Sequence, residues 1–333
     1  EDGIALAGAA STAMTQNVRG KLFPASGVWG VATHPAARRK GYCTQVMGSL
    51  LAAESQSGKV FSNLYPFRES FYERQGYITL PLCTIARLTP AALAPLMGKD
   101  FGGRLDLQMI GPAYDTYRAY LAEMRQGVHG MAFFDVGNRV VAEQNKQWVA
   151  LARFNEQVEG LMLYNLQGDE VSKFKFCAYR FYTRTSRARY LLLEWIARHV
   201  DQADRVELWL APYERPETWL ADMQVKVESQ IRAPMSRVLT VAGMGGMQCG
   251  TGSFAARVTD ALCKFNEGVW RFEADDGRLR VSKSSHADCE LSIQGLTALA
   301  FGTHDPQDFA LRGWGNPPLE LQGVMRQMFP AKI

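Results

Sequence analysis

The chain has 333 residues, 47% hydrophobic and 21% charged, with a formal net charge of +4. That length allows two or three domains, and the balance is that of an ordinary globular protein, not a disordered one. The charge is too small and too dispersed for a nucleic-acid binder, no apolar run reaches transmembrane length, and no signal peptide is visible, so neither nucleic acid nor membrane is an expected partner.

Residues Ile4–Gln16 and Val18–Phe23 read as an antiparallel hairpin turning near Asn17, leading into a buried central strand, Val28–Thr33. His34-Pro35 breaks that strand, and Arg38-Arg39-Lys40-Gly41-Tyr42-Cys43 makes a basic turn containing a glycine. Val46, Met47, Leu50, Leu51 and Ala53 recur at the spacing of one helix face, predicting a helix over Tyr42–Gln56 that ends at Ser57-Gly58. A strand at Val60–Tyr65, a short helix bearing Tyr72 and a closing strand from Tyr77 to about Leu88 follow.

Thr89-Pro90 opens a linker with a short helix at Pro90–Leu96, and a helical region spans Asp115–Gln126. Three strands are predicted at Gln147–Arg153, Gly160–Leu166 and Lys173–Phe181, then a helix over Ser186–Val200 and a strand at Arg205–Leu210. This order repeats the plan of the first half. Pro234-Met235-Ser236-Arg237-Val238 enters a last region, with short strands at Phe254–Asp260, Gly268–Ala274, Gly277–Ser282 and Cys289–Ile293 and helices at Gln294–Phe301 and Pro317–Met328.

The six cysteines (Cys43, Cys83, Cys177, Cys249, Cys263, Cys289) include no C-x-x-C pair and read as reduced thiols of a cytoplasmic protein. The five histidines lack metal-ligand spacing, and no metal site is expected.

The first basic turn carries chemistry. The first amides of a helix have no intrahelical partner and lie at the positive end of its dipole, so a strand, a glycine turn and a helix start together form an anion site. Gly41 lets the backbone approach a phosphate without a Cβ in the way, and Arg38, Arg39 and Lys40 add positive charge. The turn is neither G-x-x-x-x-G-K-[ST] nor G-x-G-x-x-G, which argues against a nucleoside-triphosphate hydrolase and a nicotinamide dehydrogenase. The corresponding turn of the second half, Thr183-Arg184-Thr185-Ser186-Arg187-Ala188, has no glycine, and its side chains should keep a diphosphate away.

Arg38-x-x-Gly41-x-Cys43 resembles the Q/R-x-x-G-x-G/A signature of the GNAT acetyltransferases, with Cys43 departing from the final Gly or Ala, and Phe71-Tyr72-Glu73-Arg74-Gln75-Gly76-Tyr77 resembles their FYxxxGF segment. Val18-Arg19-Gly20, Val31-Ala32-Thr33-His34-Pro35 and Leu64-Tyr65-Pro66-Phe67 are similar to the Eis (enhanced intracellular survival) branch. The likeness covers essentially the whole chain. It implies an α+β architecture with the GNAT acyl-CoA N-acyltransferase fold, a mixed central sheet with helices, in residues 1–88. A second, degenerate GNAT-like half without a cofactor loop would fill 89–232, and a sterol-carrier-like domain 233–333. It also implies an opening strand and two helices ahead of Ile4, so the sequence is expected to be trimmed at its front.

The activity implied is transfer of an acetyl group from acetyl-CoA to a primary amine of a small molecule or a lysine side chain, in a homo-oligomer. The implied cofactor contacts are Val31, Ala32, Thr33, Arg38, Arg39, Lys40, Gly41, Tyr42, Cys43 and Thr44, with Val31 and Thr33 acting through their amides. Tyr72 sits where the family places the acid that protonates the departing thiolate; at an ordinary pKa near 10 it holds that proton at neutral pH. The plain reading is a buried aromatic with its hydroxyl bonded to backbone. In the Eis branch the general base is the terminal carboxylate; the present sequence stops at Lys332-Ile333, short of the family's aromatic end, and His34 is an alternative base. Two other functions stay open: a lipid- or sterol-binding C-terminal domain, against which Trp270, Phe272, Phe301 and Trp314 read as plain core, and a catalytically inactive acyl-CoA-binding scaffold.

Overall fold

The computed structural model describes residues 5–168, 170, 173–230 and 232–332. Ile4, the predicted start of the hairpin, and Ile333 lie outside them. The chain opens with β1 (Ala7–Val18) and β2 (Lys21–Thr33), antiparallel and joined at Arg19-Gly20, whose φ angles of 48° and 73° fit a two-residue hairpin turn. The turn thus lies beyond Asn17, and Val18–Phe23 and Val28–Thr33 are not separate strands, because β2 runs through Pro24. The carbonyl of Pro24 accepts the Val60 amide, so its missing N–H faces the side on which parallel pairing begins only at Ala25.

Next come α1 (Tyr42–Gln56), β3 (Phe61–Leu64), α2 (Glu69–Glu73), β4 (Ile78–Thr79) and β5 (Thr84–Leu88). A 3-10 turn at Pro90–Leu96 leads to β6 (Arg104–Met109), α3 (Ile110–Gly127), β7 (Ala132–Phe134) and α4 (Arg139–Gln144). Then follow β8 (Trp148–Phe154), β9 (Gln157–Gln167), β10 (Phe174–Thr183), α5 (Ser186–Ala197), β11 (Ala203–Leu210), β12 (Lys226–Ser229) and β13 (Met235–Val238). The last part holds β14 (Ser253–Thr259), β15 (Gly268–Asp275), β16 (Arg278–Lys283), β17 (Cys289–Ser292), α6 (Ile293–Phe301), α7 (Phe309–Arg312) and α8 (Leu319–Met328).

These elements form two compact units. The first joins the chain up to Pro81, Arg125–Val136 and everything from Arg232 on; the second takes Leu82–Met124 and Gly137–Ile231. In the first, one mixed sheet has the order β4-β13-β3-β2-β1-β7, and a second runs β16-β15-β14-β17. In the second unit a single mixed sheet runs β12-β5-β11-β10-β9-β8-β6.

The predicted closing strand Tyr77–Leu88 therefore does not exist as one element. Pro81, which has no amide to donate, lies in the break between β4 and β5, and the two halves enter different sheets. β13, predicted to belong to the last region, instead pairs with β3 and β4. Each parallel β-α-β pair thus receives its antiparallel neighbour from a distant part of the chain: β3 from β13 and β11 from β5.

In the first unit the ring of Phe61 on β3 meets Phe23 edge-on at 5.2 Å and Phe301 of α6 at 5.5 Å. Trp270, Phe272, Phe301 and Trp314 are all buried in this core. A separate core beneath the second sheet gathers Phe176, Phe181, Leu192, Ile196 and Trp219. Among the described residues no helix is long and apolar enough to cross a membrane, and no cluster of His, Cys, Asp and Glu has the arrangement to hold a metal ion.

Candidate functional site

β2 and β3 pair in parallel only from Ala25↔Phe61 to Val28↔Leu64. Beyond Val28, β2 keeps β1 on one side and has no strand on the other among the described residues. In the same stretch Gly30 and Val31 together oppose the single residue Ala9, a β-bulge, and Gly30 takes the φ of +64° that such a kink asks of a glycine. The His34 amide donates to the Leu6 carbonyl (2.8 Å), so that amide points toward β1. By strand alternation the amide of Thr33 faces the open edge, and that of Val31 with it. The intervening Ala32 faces β1 and pairs with Gly8.

The chain then turns through Pro35–Ala37, a 3-10 turn capped by His34, whose Nδ1 accepts the Ala36 amide at 3.3 Å. Arg38, Arg39 and Lys40 are exposed and form no ion pair among the described residues. Gly41 is the N-cap of α1 at φ +83°, a conformation costly for any other residue, and a Cβ built there would meet nothing within 4 Å. No side chain caps this helix, so the amides of Tyr42, Cys43 and Thr44 look outward over open space.

Tyr72 is buried on α2, with ring centroids 5.0 Å from Phe71, 5.5 Å from Phe67 and 6.0 Å from Tyr77. It belongs to the cluster that contains Val28, Met47, Leu64 and Cys263, with Val31 and Cys43 packed on its margin. The fold thus brings Val31, Cys43 and Tyr72 together. The hydroxyl of Tyr72 makes no hydrogen bond among the described residues, so the backbone bond expected of a merely structural tyrosine is absent. Burial, helped by the nearby Cys43 thiol, pushes its pKa up to about 12. The expectation of an ordinary pKa near 10 is corrected, because the ring lies in an apolar cluster instead of at the surface.

Three features escaped the sequence reading. The bulge was signalled only by an isolated glycine, Gly30, inside an apolar strand. Trp29, Tyr65 and Phe67, at the mouth formed by β2 and β3, are more than half exposed, at 57%, 68% and 67%; nothing local separates such aromatics from core ones. On α2, Glu69 and Glu73 line a cleft of about 480 Å³ together with Thr79, His304, Arg312 and Trp314, residues far apart in the chain.

Comparison with known proteins gives this arrangement its family. Residues 1–79 match the model of the acetyltransferase (GNAT) domain, and residues 247–314 that of the sterol carrier protein domain. The chain carries a GNAT acyltransferase domain joined to a sterol carrier protein domain. It is, accordingly, an acyltransferase. Solved structures share the fold over the whole length. A GCN5-related N-acetyltransferase from Anabaena variabilis matches at 18% identity and a TM-score of 0.84, over 100% of this chain and 86% of its own. A probable N-acyltransferase from Enterococcus faecalis matches at 17% and 0.86, over 99% and 85%. Eis1 from Mycobacterium abscessus matches at 17% and 0.78, over 100% and 87%. No curated protein sequence matches the chain.

Proposed function

We propose that this acyltransferase moves an acetyl group from acetyl-CoA directly to a primary amine, on a small molecule or a lysine side chain. The observation that carries the reading is the unpartnered hydroxyl of Tyr72, whose ring is buried beside Cys43, at the start of a helix whose first amides are uncapped. The diphosphate would lie over the amides of Tyr42, Cys43 and Thr44, with Arg38, Arg39 and Lys40 beside it; the empty space at Gly41 suits it. The amides of Val31 and Thr33 would pair with the pantetheine arm as an added strand does, and one would polarise the thioester carbonyl.

In this reading the acceptor first gives its ammonium proton to water. The neutral amine attacks the carbonyl carbon, the C–N bond forms, the C–S bond breaks, and the sulfur leaves with the electron pair. The proton then shed by the nitrogen returns through water to Tyr72, replacing the one the phenol gives to sulfur. Tyr72 meets the charge on that sulfur. With its pKa near 12 the phenol is fully protonated at neutral pH. It is also a weaker acid than a thiol, whose ordinary pKa is about 8.5. Its main work is therefore a hydrogen bond that strengthens as charge develops on sulfur, with proton delivery as the bond breaks. The carboxylate of Glu69, on the same helix, suits an acceptor that arrives as an ammonium ion, while that of Glu73 is already paired with Arg312 at 3.5 Å. Catalysis belongs to the segment 1–88, with 89–232 and 233–333 as supporting parts, and we take the working protein to be a cytoplasmic homo-oligomer.

Tyr72→Phe tests the reading. It keeps the ring's packing and removes only the donor, so turnover measured by free-thiol release should fall by about 10²–10⁴-fold while acetyl-CoA still binds. Wild-type turnover would remove Tyr72 from the chemistry.

A further inference from the structure

Behind the Tyr72 turn lies a fully buried ion pair, Arg237 with Asp260, at 0% and 1% side-chain exposure. Arg237 stands on β13, which pairs with β3 on one side and β4 on the other, so it reaches the chain segment that runs between them. Its Nη1 donates to the carbonyl of Gln75 at 2.5 Å, its Nε to the carbonyl of Val238 at 3.2 Å, and its Nη2 to Asp260. Gln75 is no neutral anchor point. Its own amide donates to the carbonyl of Tyr72 at 2.9 Å, and the amide of Tyr77 donates to that same carbonyl at 3.1 Å.

The guanidinium also occupies the space over Gly76. A Cβ at that position would come within 2.8 Å of Arg237 Nη1 and of Ile293 Cγ2, and Gly76 has a φ of +91°. The glycine of the Phe71–Tyr77 motif is therefore required by Arg237 as much as by its own dihedral. Asp260 extends the clamp to the other side of the tyrosine. Its Oδ1 accepts the amides of Leu262 (3.2 Å) and Cys263 (3.0 Å), its Oδ2 accepts Asn266 Nδ2 (2.9 Å), and Cys263 and Leu262 pack in the cluster around Tyr72. One pair of buried charges thus holds both the backbone turn that follows Tyr72 and two residues of the apolar cluster to which Tyr72 belongs.

We infer that Arg237, oriented by Asp260 and Asn266, is a positioning residue for Tyr72, fixing the hydroxyl toward the sulfur of the acyl donor. The inference rests on the proposed role of Tyr72. A lysine in place of Arg237 offers one point charge where the guanidinium offers a fork, and cannot serve Gln75 and Asp260 in the same geometry.

The test is R237K in two backgrounds, with steady-state kinetics and calorimetry of acetyl-CoA. A displacement of the donor by about 1 Å costs about 10²-fold in rate, so kcat in the wild-type background should fall by about that factor. KM and the affinity for acetyl-CoA should stay within about twofold. In the Tyr72→Phe background the same change should alter kcat little, because the group it positions is already gone. Equal losses in both backgrounds, or no loss in the first, would overturn the positioning role while leaving Tyr72 as donor. Wild-type turnover in Tyr72→Phe alone overturns both. If R237K does not fold, amide exchange in the wild-type protein decides: the amides of Gln75, Gly76 and Tyr77 should exchange as slowly as those of β13. Exchange at the rate of an open loop would reject the clamp.

Discussion

In the β2–α1–β3 unit the parallel pairing stops at Val28↔Leu64, and in β10–α5–β11 it stops at Ala178↔Leu208. In both, the leading strand then bulges against its antiparallel neighbour, at Gly30-Val31 opposite Ala9 and at Tyr179, the extra residue between the β9 partners Tyr164 and Leu163. The splayed strand pair is therefore a property of the fold, present twice. What separates the two is the filling. In the second unit Thr185 caps its helix by accepting the Ala188 amide, Arg187 is paired with Glu159 and Arg184 with Glu123. Trp219 stacks on Phe181, 5.8 Å from it, while Tyr190 Oη donates to the Trp219 carbonyl and Arg189 lies over its ring. Thr185, Arg184 and Arg187, the groups of that turn best placed to meet a diphosphate, already have partners. At the first turn the side-chain cap and the ion-pair partners are missing among the described residues, and Gly41 has no Cβ. Under the proposed function, binding capacity in this chain is a matter of what has been left unsatisfied.

The comparison breaks most sharply at Gly41. The Cβ of a valine there meets no protein atom within 4 Å, so the protein should fold, at a cost of about 1–2 kcal/mol for a left-handed residue. Its side chain would stand in phosphate space, and calorimetry should find acetyl-CoA binding abolished. Unchanged affinity in Gly41→Val would move the donor elsewhere. Next in size is Trp219→Ala, which removes the ring stacked on Phe181. Loss of a buried tryptophan costs about 3–5 kcal/mol, read as a lower urea midpoint, and the vacated space should still not bind acetyl-CoA, because Thr185, Arg184 and Arg187 stay engaged. Binding by that variant would mean that Trp219 alone distinguishes the two units.

Much of this was legible in the sequence, and the rest had physical reasons to be hidden. Helix α1 is found over the predicted Tyr42–Gln56 because its apolar spacing, the glycine before it and Ser57-Gly58 after it all agree. The second half's strands β8 to β11 and helix α5 were found for the same cause. The exchange of β5 and β13 between sheets was not, since strands of five and four residues carry no signal of which distant strand they join. Of the proposed site, Arg38–Thr44 and Tyr72 stand in local sequence motifs. Arg237, Asp260 and Asn266 are joined only by tertiary contact, and a single Arg beside valine on a short strand looks like a surface residue until its burial is seen.

The two units should also part company in acid. His129, in the first unit, accepts the Arg19 amide at Nδ1 and so donates from Nε2 to the Phe301 carbonyl. Burial, opposed by that carbonyl and reinforced by Arg19 and Lys332, lowers its pKa to about 4. The unfolded chain binds that proton at its ordinary pKa of 6.5. Stability of the first unit is therefore complete above pH 6.5, falls as the pH drops toward 4 and levels off below, by up to about 3 kcal/mol. In the second unit Glu159, held below its ordinary 4.5 chiefly by the Arg187 hydrogen bond, contributes stability above 4.5 that is lost only at lower pH. Amide exchange corrected for intrinsic rates should show the first unit loosening at pH 5 and the second unaffected. Simultaneous loosening would remove His129 as the cause.

The smallest effect sharpens the comparison furthest. Thr185 both caps α5 and donates its hydroxyl hydrogen to Glu159 at 2.7 Å. Thr185→Ala should lower stability by about 1 kcal/mol, the usual worth of an N-cap, and Thr185→Gly by only a few tenths, since glycine exposes the helix amides to water. The glycine variant is the informative one, because it gives the second turn the feature that first marked Gly41. If the reading above holds, calorimetry will find no acetyl-CoA binding at that turn. Arg187 stays on Glu159, Arg184 on Glu123, and Trp219 still stacks on Phe181. Binding gained by Thr185→Gly would show that the glycine alone separates the two units, and that the ion pairs and the tryptophan are incidental.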